Sequence, residues 1–351
     1  YPDERICRTA ASFGLRCLGD LDHHPIVGSL RQAKSFLHPS VGNPCRPSLR
    51  NAAMGEHVRG PRGFCCESAE QLQEAWTRLK QADPGIKLVL KPASGSGGTG
   101  VVLDATQADV DAVVCEMQQA QRGRFTVAPL GQTPDETILE EMVGKRGQPS
   151  PTVYMVGDRV TVVADQLLTP CGTVNLGNIS PATQVSSAAV RVMRHACEQL
   201  GRYLGLRGQW GVDFVLSDDG LPIMVDLNMG RPNGSLSFYC WRARQLPPMA
   251  RGLGEELARG QQLALACTTY CPPVGLRLTA LTASLTAKSL LWDSERGEGI
   301  VLAQHLPGVA GGGTVLAATW RGPDAVRRLL DDFRAHVKTL DAVWRISAEA
   351  K

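Results

Sequence analysis

Aromatic residues are scarce in this 351-residue chain, at 5%. That is too few for a base-stacking surface, so no nucleic-acid partner is expected. No apolar run approaches the roughly 18 residues that a membrane span needs. Nor does an apolar stretch follow Tyr1-Pro2-Asp3-Glu4-Arg5 in the manner of a signal peptide. Neither sign of charge is in excess: 37 basic against 34 acidic residues leave +3, which calls for no polyanion and no anionic membrane surface. Cys-x-x-Cys pairs are missing, although there are 11 cysteines. The odd count, with Cys65 and Cys66 adjacent and Cys267 and Cys271 too isolated to complete a zinc site, argues for reduced, mostly buried thiols in a cytoplasmic protein. Residue 1 is not methionine, which leaves room for an upstream segment.

What is present is globular: 43% hydrophobic and 20% charged residues exclude a mainly disordered chain. Residues 1–63 are rich in Pro, Gly, Arg and His and read as loop with one or two helices. Ser68-Ala69-Glu70-Gln71 is a capping box ahead of Leu72, Ala75, Trp76 and Leu79, which predicts a helix that Asp83-Pro84-Gly85 ends. Strands are expected at Ile86–Lys91, Val101–Leu103 and Thr137–Val143, and two more within 151–168. A second cap, Thr106 to Asp109, opens a helix carrying Val110, Val113, Val114 and Met117. A third helix covers 186–204; His195 lies in its amphipathic pattern and reads as structural. Val212–Leu216 and Ile223–Leu227 flank Asp218-Asp219-Gly220 as a β-hairpin. A strand at Thr314–Thr319 and a helix opened by Pro323 close the chain. Hairpins in place of repeated βαβ units make the expected class α+β.

Two constellations carry chemistry. Gly95-Ser96-Gly97-Gly98-Thr99-Gly100 satisfies GxGxxG. A Rossmann loop needs a helix next, and here Val101-Val102-Leu103 is a strand. A Walker A loop needs GK[ST], whereas Val101 follows. The kinase loop pattern also fits, but that family's lysine lies after the loop, and no HRD or DFG follows. With Lys91 on the incoming strand, Ser94 to Gly100 instead suits a phosphate-covering flap between antiparallel strands. A surface hairpin accounts for the loop alone equally well. In the second constellation, Asp226 and Asn228 are two apart on one strand and so share a face. Asp213 lies on the partner strand. Three such oxygen donors can hold one or two Mg²⁺.

In this order the motifs resemble the ATP-grasp superfamily over roughly 86–235. Val89-Leu90-Lys91-Pro92 with the glycine loop is similar to the family's phosphate lysine and flap. Ile138-Leu139-Glu140-Glu141-Met142-Val143 is similar to its adenine-binding strand. Asp213, Asp226 and Asn228 are spaced like the metal hairpin of D-alanine–D-alanine ligases. Within the superfamily, Ser150-Pro151-Thr152-Val153, Asp165-Gln166-Leu167-Leu168, Asn228–Ser235 and Gly299–Leu330 look most like the peptide-ligase branch that includes the pheganomycin ligase.

The resemblance implies an ATP-grasp fold with an N-terminal region (1–63), a small lobe (64–144), a central lobe (145–241) and a C-terminal region (242–351). It implies an ADP-forming ligase that joins a small carboxylate to an amine through an acyl phosphate. ATP would be held by Lys34, Lys91, Ser94, Gly95, Gly97, Gly98, Gly100, Glu140, Glu141, Met142 and Val143. Mg²⁺, or Mn²⁺ in its place, would be held by Asp213, Asp226 and Asn228. Arg231 and Lys91 would stabilise the reacting group, and Asn233, Gly234 and Ser235 would bind the substrate carboxylate. Asp226 stands where glutamate is commoner, and Arg231 is one residue further from Asn228 than in many relatives. A nucleotide-binding protein without catalysis, or a ligase loading a carrier-protein thiol, are the alternatives.

Overall fold

The structure is a computed structural model that describes residues 34–43, 45, 48–49, 58–93, 100–121, 136–144, 149–168, 175–206, 208–229, 264–293, 295–307 and 313–349. The chain divides into two compact units, 1–160 with 168–175 and 185–232, and 161–167 with 176–184 and 233–351.

In the first unit, β1 (Gly63–Cys66), β2 (Leu88–Pro92), β3 (Val102–Leu103) and β4 (Thr137–Glu141) form an antiparallel sheet in the order β1-β4-β2-β3. Helices α1 (Ala69–Ala82) and α2 (Gln107–Gln121) pack beside it. The caps expected from the sequence form. The Ser68 hydroxyl accepts the Gln71 N–H at 3.3 Å, while the Gln71 side chain reaches back one residue further than a standard box, to the Glu67 N–H at 2.8 Å. In the second cap, Asp109 Oδ2 accepts the Thr106 N–H at 2.8 Å and Thr106 Oγ1 accepts the Asp109 N–H at 3.3 Å. Leu72, Ala75 and Leu79 of α1 and Val110, Val114 and Met117 of α2 meet Leu88, Leu90 and Leu139 of the sheet in one buried cluster. Each fully buried leucine there contributes about 1.5–3 kcal/mol.

The same unit holds β5 (Pro151–Val156), β8 (Gln209–Leu216) and β9 (Pro222–Met229), with β5 and β9 antiparallel to β8 on either side. Helix α3 (Ser187–Leu204) packs on β5 and β9. It starts at Ser186, whose hydroxyl accepts the Ala189 N–H, and stops at Gly205 in the left-handed region, φ 61°. His195 lies on its exposed face.

Strand β6 (Arg159–Leu168) begins in the first unit and continues in the second. In the second unit β7 (Asn175–Ser180), β10 (Ala264–Tyr270), β12 (Gly313–Thr319) and β11 (Glu298–His305) follow one another as antiparallel neighbours. Helices α4 (Leu278–Ala287) and α5 (Pro323–Glu349) complete its core, where Phe333 meets Tyr270 edge-on at 5.1 Å. The sequence reading placed β12 and α5 but missed β1, β7, β10, β11 and α4. The class is α+β, as expected.

Candidate nucleotide and metal site

The site lies in the first unit and starts from a defect in a hairpin. Pairing between β8 and β9 runs Gly211↔Asn228, Val212↔Leu227 and Asp213↔Asp226, then jumps to Phe214↔Met224, so Val225 is a bulge. The bulge has a packing reason. Met224 and Leu227 are three apart, and both are fully buried. Strict alternation would send them to opposite faces. One extra residue between them lets both face the core and leaves Asp226 on the other side, opposite Asp213.

Gly211 has no side chain opposite Asn228, and Asn228 Nδ2 donates diagonally to Asp213 Oδ2 at 3.0 Å. Thr152, paired with Asp213 on β5, donates its hydroxyl to Asp213 Oδ1 at 2.6 Å. Burial, and next the Asp226 carboxylate, push the Asp213 carboxyl up to about 6, against the pull of Thr152, Lys34 and Asn228. The three predicted metal residues are therefore gathered. Among the described residues no group of three or more His, Cys, Asp or Glu is placed to hold a metal ion. The donors here are two carboxylates and one carboxamide, a hard-oxygen set of the kind that suits Mg²⁺.

Two lysines meet this hairpin. Lys34 Nζ lies 2.9 Å from Asp226 Oδ2. Lys91, on β2, donates to the carbonyl of the bulged Val225 and pairs with Glu140 Oε1 at 2.7 Å. Register explains the second contact. Lys91 is opposite Ile138, so Glu140 is its diagonal neighbour on β4. Glu140 Oε2 accepts from His38 Nε2 at 2.6 Å. Burial raises the Glu140 carboxyl, but the Lys91 ammonium and the His38 hydrogen bond outweigh it and hold it below the usual carboxylate range.

The other predicted residues separate into placed and undescribed. Glu141 turns to Arg62, accepting its backbone N–H at 2.8 Å. The N–H of Met142 is taken by the Lys87 carbonyl at 2.8 Å, and Val143 follows it past the end of β4. Gly100 is exposed with φ 76° at the downstream foot of the glycine loop. Ser94, Gly95, Gly97, Gly98, Arg231, Asn233, Gly234 and Ser235 lie outside the described residues.

The sequence reading missed His38, Thr152 as a partner of Asp213, and the Val225 carbonyl. His38 had one available signal: it stands four residues after Lys34 beside apolar Phe36 and Leu37, as on one helical turn.

The family profile described as ATP-grasp domain matches residues 68–235, the stretch from the α1 cap to just past β9. This is an ATP-grasp fold. Solved structures agree across nearly the whole chain. The ADP complex of purK, N5-carboxyaminoimidazole ribonucleotide synthetase, superposes with a TM-score of 0.56 at 15% identity, covering 97% of this chain and 78% of that one. The corresponding synthetase from Thermus thermophilus gives 0.54 at 14% identity, covering 96% and 78%. The biotin carboxylase domain of the Hydrogenobacter thermophilus 2-oxoglutarate carboxylase, solved with MgADP, ADP and bicarbonate, gives 0.56 at 12% identity, covering 94% and 71%. No curated protein matches this chain by sequence. At such identities the structural likeness establishes the ATP-grasp fold. No helix among the described residues is long and apolar enough to cross a membrane.

Proposed function

We propose that this chain is an ATP-dependent, ADP-forming ligase that joins a small-molecule carboxylate to an amine through an acyl phosphate. The observation that carries this is the convergence of Lys34 and Lys91 on the Asp213, Asp226 and Asn228 hairpin. Two ammonium groups beside hard-oxygen donors are what a triphosphate and a divalent cation require together. Asp213, Asp226 and Asn228 would hold Mg²⁺, with Mn²⁺ as a substitute. When bound, that ion would supply positive charge to offset the charge on the phosphates.

The chain's own residues then position and screen. Of the three Lys91 N–H groups, one faces Glu140 and one the Val225 carbonyl, which leaves one for a phosphate oxygen. Lys34 offsets the second carboxylate. The segment Glu141 to Val143 would take the adenine edge. The glycine loop would close over the phosphates, Arg231 would stabilise the reacting group, and Asn233 to Ser235 would hold the substrate carboxylate. The closer likeness to the pheganomycin-ligase branch, the division at 63, 144 and 241, and a cytoplasmic setting belong to the same proposal.

The test is phosphate release from Mg·ATP, surveyed across amino acids and small carboxylates. Release that depends on a carboxylate–amine pair is the expected result. ATP binding without release under any pair would instead favour a nucleotide-binding role without catalysis.

A further inference from the structure

Residues 34–38 form one helical turn, with the His38 N–H on the Ser35 carbonyl at 3.0 Å. Its apolar members Phe36 and Leu37 are buried, and the chain just after it docks on β1 through the Cys65 N–H to the Pro39 carbonyl at 3.0 Å. The polar members at its two ends enter the site: Lys34 reaches Asp226, and His38 reaches Glu140. His38 is fully buried. Its Nδ1 is buried as well and has no hydrogen-bond partner among the described residues. An apolar side chain would fill that space without leaving a polar atom unsatisfied. Packing is already supplied by Phe36 and Leu37, so it does not account for the histidine. What His38 does make is one short hydrogen bond, from Nε2 to Glu140 Oε2.

Glu140 is thereby held at both oxygens, Oε2 by His38 and Oε1 by Lys91. A carboxylate anchored at one oxygen alone can turn about its terminal torsion, which is broad and roughly two-fold. Anchored at both, it presents Oε1 in one direction. Lys91 is a flexible four-carbon stem whose ammonium goes where its acceptors lie. Its acceptors here are Glu140 Oε1 and the Val225 carbonyl.

We propose that His38 is a positioning residue for Lys91: it locks Glu140, and the locked carboxylate aims the ammonium at the hairpin where a phosphate would bind. The last step rests on the nucleotide reading above; the lock itself does not.

Two polar variants test it. In His38→Gln the side-chain amide carries an N–H at about the reach of Nε2. In His38→Asn the amide ends near the place of Nδ1, short of Glu140. The first measurement is acetic anhydride labelling of Lys91 in the nucleotide-free full chain, quantified by mass spectrometry. His38→Asn should speed labelling about fivefold or more, and His38→Gln should stay within about twofold of the parent, since only the first loses a hydrogen bond to a charged group. The second is KM for ATP in phosphate release, expected to rise about tenfold in His38→Asn and to be largely rescued in His38→Gln.

If the parent chain neither binds nor cleaves ATP, the nucleotide reading falls, and the labelling still judges the lock. Equal labelling in the parent and both variants overturns the proposal, as does equal impairment of the two variants at an unchanged Tm. Should His38→Asn not fold, Glu140→Gln breaks the same link from the other side. Lys91 labelling must then rise by a similar factor, and an unchanged rate would refute the lock.

Discussion

Replacing Asp213 by asparagine should make the protein more stable at neutral pH while destroying its activity. Burial, and next the facing Asp226, lift the Asp213 carboxyl from 3.8 to about 6. A carboxyl raised in the folded state is penalised when ionised. Its contribution to stability is intact below about 4, falls between about 4 and 6, and is lost above 6. The span of about two units corresponds to about 3 kcal/mol at most. Asp213 keeps some exposure, which discounts this to about 1–2 kcal/mol.

Asparagine is close in shape and removes the charge. Its Oδ1 can still accept the Thr152 hydroxyl, and Asn228 needs only an amide flip to accept where it now donates. Urea melts of parent and variant at pH 4.5 and 7.5, without divalent cation, measure the effect. The variant should gain about 1–2 kcal/mol at pH 7.5 and only about a third of that at pH 4.5. Millimolar MgCl₂ should stabilise the parent at pH 7.5 and leave the variant unmoved. A variant that is destabilised at pH 7.5, or changed equally at both pH values, would refute the reasoning.

Three further outcomes are expected. Lys91→Ala should lose ATP affinity by more than about tenfold in calorimetry and cost about 3 kcal/mol of stability, because buried Glu140 keeps only His38; unchanged affinity would end the assignment of Lys91 to phosphate. Asp226→Ala should abolish phosphate release yet change stability by less than about 1 kcal/mol, since its carboxylate is 26% exposed and its loss relieves Asp213. Near-parental turnover in that variant would remove Asp226 from any metal role. In the second unit, Gly177→Ala should cost about 3 kcal/mol or more, as its Cβ would sit 2.1 Å from the Cys267 carbonyl at a φ of 152°, whereas Gly220→Ala, with φ 79° in open space, should cost only about 1. Similar denaturation midpoints for the two would contradict the clash.

What the sequence determined by itself is everything set within a few residues. Ser68, Thr106 and Ser186 cap helices because their hydroxyls reach an N–H three residues ahead. The stripes of α1 and α2 and the hairpin around Asp218-Asp219-Gly220 follow from period and turn chemistry alone. So does the order of lysine strand, Glu-Glu strand and carboxylate hairpin, which was enough to anticipate the ATP-grasp fold. Strand β7 was illegible because Asn175-Leu176-Gly177-Asn178-Ile179-Ser180 is mostly polar, and β10 and β11 because short apolar runs do not separate strand from helix.

The tertiary structure alone decided who meets whom. Lys34 and Asp226 are 192 residues apart, and Lys91 and Val225 are 134 apart. No local pattern encodes such pairs, because they form only once sheet register and docking have placed both partners. The bulge at Val225 belongs to the same class. Its cause is the shared burial of Met224 and Leu227, and that is a property of the core they enter rather than of the four residues that spell it.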